Sequence, residues 1–97
     1  MQEVGNLGLI TALEFLADRK VDLGQVRLPK AYLFRIKLPN VRMEAAILTQ
    51  ANLDEANLSE ARMQGTELSG ASLAQARLNG ANLAGVNLSP AIYVAPI

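Results

Sequence analysis

The 97-residue sequence contains no cysteine and no histidine. Disulfides, thiolate nucleophiles, imidazole bases and the usual zinc and copper ligands are thereby excluded together. Tryptophan is absent as well, and only two tyrosines and two phenylalanines are present. Nine basic residues cancel nine acidic ones, so no net field gathers nucleic acid or an anionic membrane. No run approaches the roughly 20 apolar residues of a membrane-spanning helix. The N-terminus lacks a basic n-region, and Glu14 and Asp18 interrupt the one apolar stretch, so no signal peptide is expected. These absences predict one soluble, cytoplasmic domain without cofactor or metal.

What is present is a period of five. From Val21 the chain reads VDLGQ, VRLPK, AYLFR, IKLPN, VRMEA, AILTQ, ANLDE, ANLSE, ARMQG, TELSG, ASLAQ, ARLNG, ANLAG, VNLSP, fourteen blocks without a slip. The third position is Leu twelve times, with Met43 and Met63 as exceptions, and the first is always Ala, Val, Ile or Thr. Such periodicity outranks local propensity.

The period decides against simple elements. In an α-helix a five-residue step turns each Leu by about 140° and leaves no apolar face, and Pro29, Pro39 and Pro90 would break it. A straight strand sends successive leucines to opposite faces. The chain must therefore turn once per block, with positions one and three facing a common interior and successive turns of the coil pairing as parallel strands about 4.8 Å apart. Gly65, Gly70, Gly80 and Gly85 at position five mark the corner, where φ > 0 suits glycine.

The blocks Ala-Asn-Leu-Asp-Glu, Ala-Asn-Leu-Ser-Glu and Ala-Asn-Leu-Ala-Gly resemble the A(D/N)LXX consensus of the pentapeptide-repeat proteins, and the resemblance covers residues 21–90. The chain resembles in particular the short pentapeptide-repeat proteins of cyanobacteria. The resemblance implies an all-β solenoid, a right-handed quadrilateral parallel β-helix with four blocks per coil, here about 3.5 coils and roughly 17 Å tall. Residues twenty apart would then stack, putting Leu23, Met43, Met63 and Leu83 in one interior column, Asp22 beside Arg42 and Arg35 beside Glu55. The two methionines read as core filler rather than metal or haem ligands.

Three segments follow: residues 1–20 with a capping helix, 21–90 with the repeats, and 91–97 as a tail or partial fifteenth repeat. Ile10, Leu13, Leu16 and Ala17 recur at helical spacing, and Thr11 with Glu14 fits a capping box. A helix over about 11–20, with Asn6 as an alternative start, is expected to cover the first coil. After Pro90 no polar cap is apparent, so the last coil is expected to be open.

Charge is uneven along the chain. Residues 19–42 carry a local charge of +6 and residues 43–67 one of −4, an arrangement consistent with an ordinary solvated surface. No catalytic constellation, phosphate loop or substrate pocket is discernible, so an enzyme is not expected. The expected function is a protein-interaction or scaffold module working through the open C-terminal coil, near Leu78, Leu83, Leu88, Ile92 and Tyr93. Its partner would be a second copy, forming a homodimer, or another pentapeptide-repeat chain, without nucleic acid, membrane or small-molecule substrate. Tyr32 and Phe34, outside the third block, form a candidate exposed apolar patch on the side of Ile92 and Val94. The resemblance also raises an alternative, a DNA-mimic regulator of type II topoisomerase (gyrase). The acidic band at Asp54, Glu55, Glu60 and Glu67 speaks for it, and zero net charge and a short stack speak against it.

Overall fold

Residues twenty apart lie side by side along the whole stack of this computed structural model, which describes residues 2–89 and 92–94, with side chains from Gly8 onward. Parallel bridges join Arg27 to Ile47, Ile47 to Glu67 and Glu67 to Asn87, and the same offset recurs in the columns beginning at Tyr32, Lys37 and Arg42. One column lengthens into strands: β1 (Ser72–Ala74) pairs with β2 (Ile92–Val94), Leu73 opposite Tyr93. The bridges are single residues because each block is extended for only a few residues before it turns.

The hydrogen bonds of each block divide by direction. Toward the next coil, the N–H of positions three and five donate, as in Leu33 to Asn52 O (2.8 Å) and Arg35 to Asp54 O (2.9 Å), and the position-one carbonyl accepts, as Ala31 O does from Asn52 N–H (2.9 Å). Toward the preceding coil, the carbonyls of positions two and four accept and the N–H of position two donates. Each block thus has a leading edge with two donors and one acceptor, and a trailing edge with two acceptors and one donor.

Corners are closed by the N–H of position one on the position-three carbonyl of the previous block, such as Ile36 N–H to Leu33 O at 3.0 Å. The fifth residue has φ > 0 at glycines (Gly65, 71°) and non-glycines alike (Gln50, 60°; Ala45, 59°), as the third residue of a type II turn requires. The position-four N–H takes no part in the ladder. Where position two is Asn or Asp, its Oδ1 accepts that N–H: Asp54 N–H to Asn52 Oδ1 (3.0 Å), Ser59 N–H to Asn57 Oδ1 (3.1 Å) and Gly24 N–H to Asp22 Oδ1 (2.8 Å). This is the Asx turn, and it gives the Asn or Asp of the repeat a structural task. The blocks with proline at position four, RLPK and KLPN, have a basic residue at position two, so neither the donor nor its acceptor is present.

The interior is a column of apolar side chains. Leu33, Ile36, Leu48, Leu53, Leu58, Met63, Leu68 and Leu73 are fully buried, as is Met43. The methionines neighbour each other in one column by the twenty-residue register, surrounded by leucine and alanine. Among the described residues Thr66 is the buried polar one, and its Oγ1 donates to Met43 O at 3.0 Å. On the outside, Arg35 pairs with Glu55 (3.0 Å) and Arg42 with Asp22 (3.4 Å), the pairs that twenty-residue stacking implies.

The helix departs from the sequence expectation. α1 spans Gln2–Asp18, so it starts far before Thr11, and Thr11 is an interior helical residue rather than an N-cap. Gly5 and Gly8 weaken the local signal for the first turns, since each costs about 1 kcal/mol against alanine in a helix. Leu13 is buried in the core, and Leu9, Ile10, Leu16 and Ala17 pack against it. Glu14, expected in a capping box, instead accepts the backbone N–H of Lys37 at 2.9 Å, a trailing-edge donor that elsewhere meets a carbonyl of the coil beneath.

Nor does the helix run to Lys20. It ends with Lys20 N–H on Ala17 O (2.9 Å), Val21 N–H on Leu16 O (3.0 Å) and Lys20 at φ 61°, a Schellman motif with a non-glycine at its left-handed position. Lys20→Gly is expected to raise stability by about 0.5–1 kcal/mol, read as an upward shift of the urea midpoint. A lower midpoint would show that the lysine side chain contributes more than its backbone strain costs.

Candidate interaction surface at the terminal coil

The interior columns end differently at their two ends. Leu33, in the first coil, is fully buried, as are Leu53 and Leu73 above it, but Tyr93 in the same column is 47% exposed. Leu48 and Leu68 are buried, and Leu88 above them is 45% exposed. Leu78 and Leu83 are half-buried while the residues beneath them, Leu58 and Met63, are sealed. Four of the five residues singled out from sequence, Leu78, Leu83, Leu88 and Tyr93, therefore share one platform across the top of the coil. The fifth, Ile92, is 63% exposed on its rim, with Val94 beside it. Ala91 and Pro90 lie outside the described residues.

Around this platform the ladder is unfinished. The N–H of Gly80, Leu83, Gly85 and Leu88 and the carbonyls of Ala81 and Val86 belong to the leading edge by their block positions, and among the described residues none of them has a backbone partner. Among the described residues, side-chain capping reaches only the position-four amides: Asn82 Oδ1 accepts from Ala84 N–H and Asn87 Oδ1 from Ser89 N–H, each at 3.1 Å.

Tyr32 and Phe34 are not a free-standing patch. Both are half-buried, their rings 6.2 Å apart, and the Arg35 guanidinium lies 5.0 Å over the Phe34 ring. Twenty-residue stacking sets Asn52 and Asp54 on them, and polar side chains there shorten the apolar strip. The sequence had no means of weighing that cover.

The acidic band is largely engaged within the fold. Asp54 accepts the Ser72 hydroxyl and the Ala74 N–H (2.9 Å for the latter), Glu55 is held by Arg35, and Glu67 accepts from Asn87 Nδ2 at 3.1 Å. A cleft of about 1170 Å³ between α1 and the coils is lined by Glu14, Asp18, Lys37, Arg42, Glu60 and Arg62, among others. Charges of both signs face it with no catalytic grouping. Among the described residues no cluster of three or more acidic side chains could hold a metal ion, and no helix is long and apolar enough to cross a membrane.

This chain belongs to the pentapeptide-repeat family: the family model for pentapeptide repeats matches residues 28–65, 37–73 and 51–89. Its fold is accordingly a solenoid of the β-helix type, and members of the family are generally structural or interaction modules. Among solved structures it is similar to Rfr23, a pentapeptide-repeat protein of the cyanobacterium Cyanothece 51142, at 32% identity and a TM-score of 0.53 over 76% of this chain and 60% of that one. It is also similar to alr5209 of Nostoc PCC 7120, at 28% identity and a TM-score of 0.42 over 81% of this chain and 72% of that one. A pentapeptide-repeat protein of the Arabidopsis thaliana thylakoid lumen matches at 16% identity and a TM-score of 0.41, over 77% and 68% of the two chains. The chain thus spans less than two thirds of Rfr23. No curated protein matches.

Proposed function

We propose that this protein is a non-enzymatic interaction or scaffold module that associates with another β-helical chain, or with a second copy, through the coil that carries Leu78, Leu83, Leu88 and Tyr93. The reading includes the finer architecture that the family suggests: a right-handed four-sided β-helix of about 3.5 coils, with α1 lying over the first coil as its cap. The observation that carries it is the abrupt exposure of Leu88 and Tyr93 directly above fully buried Leu68 and Leu73. From the second coil on, the residues at that position are sealed wherever a coil lies above them, and apolar area left in water is the driving force for covering it. Open ladder groups around the same platform supply directional pairing, as in strand addition.

The test is absolute mass by light scattering over a hundredfold concentration range, on the chain alone and mixed in turn with other pentapeptide-repeat proteins, Rfr23 among them. Association is expected in at least one of these solutions and is expected to be lost with Leu88→Asp, while the thermal midpoint stays nearly unchanged because Leu88 is already half in water. Association that survives Leu88→Asp, or none in any mixture, would sink the reading.

A further inference from the structure

The unequal edges of each block restrict what can lie on the terminal coil. Resting on the interaction reading above, we infer that the partner is a different chain that presents the trailing edge of a β-helix coil and continues the stack head to tail, and not a second copy related by a two-fold axis. A leading edge offers two N–H donors and one carbonyl per block. On the terminal coil these include the N–H of Leu83 and Gly85 and the carbonyl of Ala81. Two leading edges placed face to face bring four donors to two acceptors in every pair of blocks and leave half of the donors unmatched. Buried donors without a partner cost roughly 1–3 kcal/mol each. A trailing edge offers two carbonyls and one N–H, as Asn52 O, Asp54 O and Asn52 N–H do within the stack, and matches a leading edge without remainder. It also brings its own Leu and Ala positions over Leu83, Leu88 and Tyr93.

This chain cannot supply that trailing edge to another copy of itself. Its first coil carries α1, with Leu13 buried in the core and the Glu14 carboxylate on the Lys37 N–H. Leu33 and Leu38, which would face an incoming coil, are sealed, and Val26 and Leu28 beside them are half-buried. The trailing edge at Leu33 to Lys37 is thus obstructed by α1, while the leading edge around Leu83 and Leu88 is accessible. Head-to-tail contacts are heterologous, and without such a block they run on into open filaments.

The experiment opens the blocked end in the full-length chain. Leu13→Asp sets a charge where α1 meets the core and releases the helix, so that each molecule gains a trailing edge. Its weight-average mass is expected to rise several-fold over a hundredfold concentration range, while the wild-type chain stays monomeric. Added wild-type chain should bind and terminate the growing stacks, lowering the mean mass, and Leu13→Asp combined with Leu88→Asp should not grow at all. Circular dichroism checks that the β-helix persists; if Leu13→Asp loses it, Leu16→Asp, at a half-buried contact of α1, takes its place. A closed wild-type dimer that Leu88→Asp dissolves would overturn the head-to-tail inference and leave the interaction reading standing. A folded α1-released variant that remains monomeric, together with no association in the mixtures above, would overturn both.

Discussion

Replacing Leu53 by alanine is expected to lower the unfolding free energy by about 2–5 kcal/mol, the range for a fully buried leucine whose surroundings relax only in part. Leu53 lies in the second coil between Leu33 and Leu73 in its own column, and all three are essentially inaccessible to water. A stack held by neighbour-to-neighbour contacts is weakened on both sides of a central cavity. Since small domains are stable by about 5–15 kcal/mol in total, this one change removes a large share. Leu83→Ala, at a half-buried position in the terminal coil, is expected to cost about 1 kcal/mol, because most of the transfer free energy was never gained there. Urea unfolding measures both, with the slope compared to confirm that the denatured state is unaltered. Equal costs at the two sites would mean that the terminal coil is covered in solution.

The second large effect comes from proline at two places in the same block. Ile47→Pro is expected to cost about 3 kcal/mol or more. The Ile47 N–H donates to Val26 O at 2.8 Å, a rung between the first and second coils, and proline removes the donor and sets its ring against the coil beneath. Thr49→Pro, two residues on, is expected to stay within about 1 kcal/mol of wild type, and on either side of it, since a compatible proline also restricts the unfolded chain. Thr49 is the second residue of the corner, where proline fits a type II turn, and its N–H makes no ladder bond among the described residues. Pro29 already occupies the equivalent place one coil below, twenty residues earlier. Paired thermal melts decide the matter; a Thr49→Pro variant as damaged as Ile47→Pro would contradict the division of labour among the five positions.

That division was only partly legible beforehand. The glycines at position five announced a corner, yet Lys30, Arg35, Ala45 and Glu55 hold the same left-handed conformation, with φ between 59° and 62°. Local preference alone would not place them there, since each carries a Cβ that disfavours that region; the pairing of the flanking residues across coils imposes it. The Asn at position two was visible as a consensus letter but not as an acceptor, because its role appears only when the position-four N–H is seen to have no rung to join. The start of α1 was missed for a related reason: glycines at 5 and 8 weaken the local signal there, while the contacts that hold the helix, from Leu9 onward, are with a core whose position sequence periodicity does not give.

Sequence by itself determined the period, the inward and outward positions and the exclusion of histidine and cysteine chemistry, because side-chain direction follows from steps along one chain. It determined as well that Leu78, Leu83 and Leu88 share the inward position with every other central leucine. Spacing could not decide that residues twenty apart are neighbours, since closure depends on the angle of each corner; the family resemblance implied it, and the bridges of the tertiary structure show it. Tertiary structure alone decided which of those leucines stay wet, which edge of each block donates and which accepts, and that Glu14 meets Lys37. Burial and pairing are properties of what lies against a residue, and in a stack the neighbour that matters is a full coil away.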